Sequence, residues 1–182
     1  ALTESRTKTN RTYILIKPTP DQSRGVFFLI GVRNNDNVTS KRVIQLLRRG
    51  GIGIIPTDTI YGIVGSALKI ETVERIYRLR KRNRKKPMIT LISSIADLRC
   101  FGINVDSKTR KALKRLWPGK VSVILPCPSK KFAYLHRGTK TLAFRLPAKK
   151  SLRVLLRRTG PLVAPSANPE GKPSAKTIQE AK

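Results

Sequence analysis

An α/β protein with a twisted mixed sheet and flanking helices is the fold class this sequence predicts, and three observations predict it. Apolar runs of strand length alternate with helical segments of about ten residues. Two of those runs, in "IGIIPTDT" and "PLVAPSAN", stop abruptly at a proline followed by small polar residues. The chain, at 182 residues with 39% hydrophobic residues, is long enough to bury a core of its own.

The elements follow in order. Residues 1–11 are predicted as a disordered polar tail and residues 12–182 as one domain. "TYILIKP" and "GVFFLIGV" are short β-rich runs separated by the turn chemistry of "TPDQSRG". "TSKRVIQLLRRGG" predicts a helix that Thr39 or Ser40 caps, with Val43, Leu46 and Leu47 on one face and Gly50 or Gly51 as its stop. The strand "IGII" comes next. "IETVERIYRLRKR" predicts a helix with Val73, Ile76, Tyr77 and Arg80 on one face, and "MITLIS" a strand after Pro87. "SSIADLRCFG" reads as a short helix beginning near Ser93 or Ser94, and "SKTRKALKRLWPG" as another, capped by Ser107. "VSVIL" and "TLAFRLP" are strands, "SLRVLLRRTG" is a helix, and "PLVAPSAN" is a strand running into a loop.

Charge is the outlier of the composition. Lys and Arg number 39 against ten Asp and Glu, a net charge of +29, so a polyanionic partner such as RNA is the first expectation. Two cysteines, Cys100 and Cys127, allow at most one disulfide, and His136 is the sole histidine, which argues against histidine-based zinc or triad chemistry. No apolar run approaches the ~18 residues of a membrane span. The opening "ALTESRTKTN" has no signal-peptide core, and the expected compartment is the reducing cytoplasm.

Three polar constellations sit just past apolar runs. Thr57, Asp58, Thr59 and Tyr61 follow "IGII"; they can receive a small polar ligand or form a strand–turn with a capping side chain. "RLRKRNRKKP", residues 78–87, is either a solvated helix end or a cationic rim for a polyphosphate. In "VAPSANPEGKP", Ser166 and Asn168 can orient ribose or phosphate oxygens, or shape a turn. Gly119, Ser122 and Arg145 are further candidates; a buried Arg in "LAFRLP" requires an anionic partner. With no carboxylate pair, Cys–His couple or glycine-rich phosphate loop, the residues favour catalysis by positioning and charge neutralisation, the substrate supplying its own nucleophile.

"GGIGIIPTDTIYGI", "RKRNRKKP", "LWPGKVSVIL", "TLAFRLP" and "VAPSANPEGKPS" occur in the order and approximate spacing of the YrdC-like family, which this sequence resembles over about residues 39–178. The resemblance implies a twisted open sheet around a basic concave cavity. It also implies synthesis of threonylcarbamoyl-adenylate and pyrophosphate from L-threonine, bicarbonate or CO2, and ATP with Mg2+ carried on the nucleotide, for tRNA modification together with partner proteins. On the family's P-T-D/E-T-x-Y-G segment, Thr57, Thr59 and Tyr61 fall on the threonine side of the cavity, joined by Arg145 of A-x-R-x-P. Its K-x-R pair falls on Arg80 and Arg82 and its lysine before proline on Lys86, the expected catalytic and phosphate-holding cations. Ser122 of P-G-x-x-T/S and the S-x-N pair Ser166 and Asn168 are expected near the nucleotide.

The sequence departs from that pattern at Arg80, where the family has Lys, so that Lys81 is an alternative holder of the role. It also ends at Lys182, before the helix and strand that the family pattern adds after S-x-N. The rival expectation is a non-catalytic RNA-binding protein on the same fold. With aromatic residues at 5% and no basic–aromatic interleaving, any RNA contact is expected to be to phosphates rather than to stacked bases.

Overall fold

The computed structural model describes residues 29–31, 39–168, 171 and 173. The expected tail over 1–11 and the strand "TYILIKP" lie outside them; of "GVFFLIGV", the segment Leu29–Gly31 is strand β1. The remaining strands are β2 (Ile52–Pro56), β3 (Tyr61–Ser66), β4 (Thr90–Leu91), β5 (Val123–Pro126), β6 (Thr141–Arg145) and β7 (Leu162–Val163). The helices are α1 (Lys41–Arg48), α2 (Ile70–Leu79), α3 (Ser107–Leu116), α4 (Ala133–His136) and α5 (Lys150–Thr159), with 3-10 turns at Ile95–Phe101 and Lys130–Phe132. One mixed sheet runs β1-β2-β3-β7-β4-β6-β5, with β1–β2 and β4–β6 parallel and the other pairs antiparallel. The expected α/β class is therefore observed. No helix among the described residues is long and apolar enough to cross a membrane.

Strand alternation sends successive side chains to opposite faces, and two core layers result. On one face Ile52, Ile54, Tyr61 and Ile63 pack with Val73, Ile76 and Tyr77 of α2, Leu113 of α3 and Phe101, Phe132 and Phe144. On the other, Ile55, Val64, Leu91 and Leu162 pack with Val43, Ile44 and Leu47 of α1 and Leu152, Leu155 and Leu156 of α5. Phe101 is the hub of the first layer, its ring 5.3 Å from Phe132 and 5.1 Å from Phe144, distances at which tilted aromatic pairs attract. Phe144 is fully buried, so Phe144→Ala is expected to destabilise the fold by about 3–5 kcal/mol, measured as a lowered denaturant midpoint at unchanged slope.

Local chemistry sets the boundaries. Ser40 caps α1, its hydroxyl accepting from the Val43 amide at 3.4 Å, and Gly50, at φ +92°, takes the left-handed conformation that closes it. The buried face of α1 uses Ile44 where Leu46 was expected; Leu46 is only half-buried. The cap of α3 is Asp106, which accepts from the Thr109 amide at 2.6 Å; Ser107 is already the first helical residue. Strand "MITLIS" shrinks to the two residues of β4, because Ser93 and its amide turn to the Asp97 carboxylate that caps the next turn. Gly65 lets α2 lie directly on β3: a Cβ there would collide with Thr72 and crowd Ile76.

Both cysteines are free, Cys100 exposed and Cys127 buried. Burial also pushes the Cys127 thiol above its ordinary pKa. Iodoacetamide should therefore label Cys100 well before Cys127 in the native protein, with both labelled after denaturation. Mass spectrometry of timed aliquots checks this.

Candidate functional site

The strands end where the polar constellations begin. Pro56 closes β2, pairing with Tyr61 at the start of β3, and the chain reverses through Thr57–Ile60. Thr57 shapes that reversal: its hydroxyl donates to the Ile60 carbonyl at 2.6 Å and accepts from the Thr59 and Ile60 amides at 3.3 Å each. The Thr57 and Thr59 hydroxyls lie 3.3 Å apart. Across from the turn, the segment after β7 is stitched to β3, with Ile63 donating to Pro165 at 3.0 Å and Ala167 to Tyr61 at 2.9 Å through their backbones.

Between these segments lies a cavity of about 340 Å³. Thr57, Thr59, Arg82, Arg145 and Ser166 supply its polar wall, and Ile60, Met88, Ile89 and Ala164 much of its apolar wall. That volume is at the lower end of the range for small-molecule sites, as is the pattern of a few polar groups set in an apolar lining.

Arg82 is pre-positioned. Its Nε donates to the Lys86 carbonyl at 3.2 Å and its Nη2 to the Pro87 carbonyl at 2.9 Å. The Lys86 carbonyl also accepts from the Tyr77 hydroxyl at 2.9 Å, tying the cationic loop to α2. Glu74 adds a second tie, bonding Arg84 at 2.9 Å and Arg137 at 2.6 Å, while the Arg137 guanidinium sits 4.1 Å over the Tyr77 ring.

Arg80 takes another position. It is 5% exposed, off the cavity wall, and its Nε donates to the Asn168 carbonyl at 2.9 Å and its Nη2 to the Ser166 hydroxyl at 3.1 Å. The guanidinium thus holds the 166–168 turn from behind. Asn168 itself is buried and off the cavity wall, contributing its backbone to this contact.

Arg145 has the anionic partner that its burial demands. Its Nη2 lies 3.4 Å from Asp58 Oδ1, and the two side chains are 9% and 5% exposed. Neither Asp58 oxygen nor Arg145 Nε makes a hydrogen bond among the described residues, so this ion pair stands at the cavity edge with unfilled bonding capacity.

The other expected site residues lie elsewhere. Tyr61 is 7% exposed in the first core layer, because alternation along β3 turns it to the α2 side while Gly62 faces the cavity. Lys86 is exposed and off the wall, where it contributes its carbonyl. Lys81, in the left-handed conformation at φ 47°, is exposed. Ser122 is exposed and off the wall, although it precedes Val123, which pairs with Phe144, and so lies at the same sheet end as Arg145. Sequence reading placed Asp58 in the polar turn but not beside Arg145, and did not anticipate the apolar wall of Ile60, Met88 and Ile89; the signal available was the apolar residues flanking each polar segment.

The profile of the family described as "Telomere recombination" (Sua5/YciO/YrdC) matches residues 45–182. The chain belongs to the Sua5/YciO/YrdC family. A threonylcarbamoyl-AMP synthase of Bacillus subtilis strain 168 is 36% identical over 131 residues, which are 71% of this chain and 38% of that relative. Among solved structures, a variant of Pyrococcus abyssi Sua5 matches at TM-score 0.75 and 29% identity, covering 86% of this chain and 48% of that one. P. abyssi Sua5 complexed with L-threonine matches at TM-score 0.73 and 28% identity, covering 86% and 46%. The chain thus spans about two fifths of the B. subtilis relative and just under half of these Sua5 chains.

Proposed function

We propose that this Sua5/YciO/YrdC domain is an L-threonylcarbamoyladenylate synthase of the cytoplasm, acting in tRNA threonylcarbamoyladenosine formation with other tRNA-modification proteins. The observation that carries the reading is one cavity in which hydroxyls from the β2–β3 turn, a pre-positioned Arg82, the Asp58–Arg145 pair and Ser166 meet at the strand ends. The name of the B. subtilis relative and the threonine complex of the P. abyssi protein support it.

In this reading the threonine amine adds to CO2, or to bicarbonate with loss of water. A carbamate oxygen then attacks the α-phosphorus of ATP, and pyrophosphate leaves with the electron pair of the broken P–O bond. Thr57 and Thr59 hydroxyls and Arg145 receive threonine, the guanidinium facing its carboxylate. Arg82 neutralises charge developing on the phosphates; two of its nitrogens are already bonded to carbonyls, so its orientation costs little at the moment of reaction. Ser166 contacts the nucleotide, and Arg80 and Asn168 act by holding Ser166 in place. Mg2+ would be carried mainly by the ATP phosphates, where it would offset leaving-group charge.

The test is pyrophosphate release by the full chain with ATP, in the presence and absence of threonine and bicarbonate. Release that requires both supports the synthase; release without threonine, or none at all, contradicts it. The charge of +29 favours a second reading, an RNA-binding protein on this fold without turnover. Binding of RNA by a chain that releases no pyrophosphate would favour that reading.

A further inference from the structure

Helices α1 and α5 are alike in sequence at their ends: "LLRRGG" closes the first and "LLRRTG" the second. The topology brings those ends together. α1 leads into β2 and α5 into β7; both strands pair antiparallel with β3, so they run parallel to each other. The two helices share one core layer through Val43, Ile44, Leu47, Leu152, Leu155 and Leu156. Arg48, Arg49, Arg157 and Arg158 therefore gather at the sheet end where β2 and β7 begin. The cavity lies at the opposite end, beyond Pro56 and Val163.

The four arginines are exposed and none forms an ion pair with a described acid. They are not needed as helix caps. The Gln45, Leu46 and Leu47 carbonyls already accept from the amides of Arg49, Gly51 and Gly50, and the Leu156 carbonyl from that of Gly160. Lys41, Arg42 and Lys150 extend the same layer, and Arg42 and Arg49 border a shallow recess of about 160 Å³.

The described acids lie away from it. Among the described residues, Glu71, Glu74, Asp97 and Asp106 belong to α2, the Ile95–Phe101 turn and the start of α3, on the other side of the sheet; Asp58 is buried against Arg145.

We infer that the α1–α5 layer, centred on Arg48, Arg49, Arg157 and Arg158, is a docking surface for the phosphate backbone of double-stranded RNA. Guanidinium groups bind phosphate through paired hydrogen bonds, and among the described residues no acid lies on this layer to repel phosphate. None of the exposed large apolar side chains lies on α1 or α5, so the layer has nothing to insert into a bilayer. It has no aromatic side chain on which unpaired bases could stack, which favours a duplex over a single strand. The choice of RNA over DNA rests on the tRNA-modification reading above.

The experiment measures fluorescence anisotropy of a labelled RNA duplex with the full chain, from roughly 50 to 200 mM KCl. ATP and threonine are omitted, so the result is independent of turnover. One variant carries Arg48→Gln, Arg49→Gln, Arg157→Gln and Arg158→Gln. Its control removes the same charge from α3 through Lys108→Gln, Lys111→Gln, Lys114→Gln and Arg115→Gln. The first should lose at least about 30-fold in affinity and flatten the slope of log K against log salt by about 3, the control losing less than about threefold. Equal losses, or none in the first variant, overturn the proposal. So does equal or tighter binding of a DNA duplex, or tighter binding to phosphatidylglycerol vesicles with the same arginine dependence. Photo-crosslinking of wild-type protein to thiouridine-labelled RNA needs no variant: adducts within residues 41–49 and 150–158 support the surface, and adducts confined to α3 or the cavity wall contradict it.

Discussion

Replacing Arg82 with alanine is expected to lower kcat for threonine-dependent pyrophosphate release by about 10²- to 10³-fold, the effect of losing one pre-positioned electrostatic contact to a transition state. The expectation rests on how the side chain is held. Carbonyls of Lys86 and Pro87 bind its Nε and Nη2, so the guanidinium borders the cavity in a fixed orientation. Arg82→Lys keeps the charge but cannot reproduce both carbonyl contacts, and should recover only part of the rate. The fold should be unaffected, since Arg82 is half-exposed and its contacts are local. Steady-state kinetics with unchanged thermal unfolding separates this from a stability effect. An Arg82→Ala protein with wild-type kcat would remove Arg82 from the site.

The largest effect on stability is expected at Asp58. Asp58→Ala strips the carboxylate from a buried Arg145, and an uncompensated buried charge typically costs about 3–5 kcal/mol. Arg145→Met in the same chain removes the stranded charge and should recover much of that loss, although the chain without Arg145 is expected to lose threonine binding. A double-mutant cycle in denaturant measures the coupling directly. Additive losses would show that the two side chains stabilise the fold independently, against the 3.4 Å pairing.

Two arginines, Arg145 and Arg80, mark what the sequence could and could not express. The need of Arg145 for an anion was legible, because a cation between apolar strand residues is costly alone. That the anion is Asp58 was not, since it depends on how the β2–β3 turn sits against the end of β6. Arg80 was legible as a member of the Val73, Ile76 and Tyr77 face, but its burial was not. Its bonds to Ser166 and Asn168, 86 and 88 residues away, were set by tertiary approach. That approach moves Arg80 from the expected phosphate-holding position to one behind the wall.

Helical periodicity located α2 and α5 well, because each buries a clear stripe of apolar residues. Strand reading was weaker. β4 forms only two ladder residues within a longer apolar run, and β3 had no counterpart in the reading, although "YGIVGS" is buried throughout. Tyr61 was assigned to the ligand by its motif. One residue of register decides such a question, and the pleat turns Tyr61 into the core.

The central claim is that the β2–β3 turn, the cationic loop, the end of β6 and the turn after β7 form one site for threonine and nucleotide together. Isothermal calorimetry with ATP and L-threonine, each alone and then each in the presence of the other, tests it most directly. The account predicts that each ligand tightens the other by the same factor, as linkage requires, and that Arg82→Ala abolishes the coupling. Independent heats, with threonine affinity unchanged by ATP and by Arg82→Ala, would contradict it.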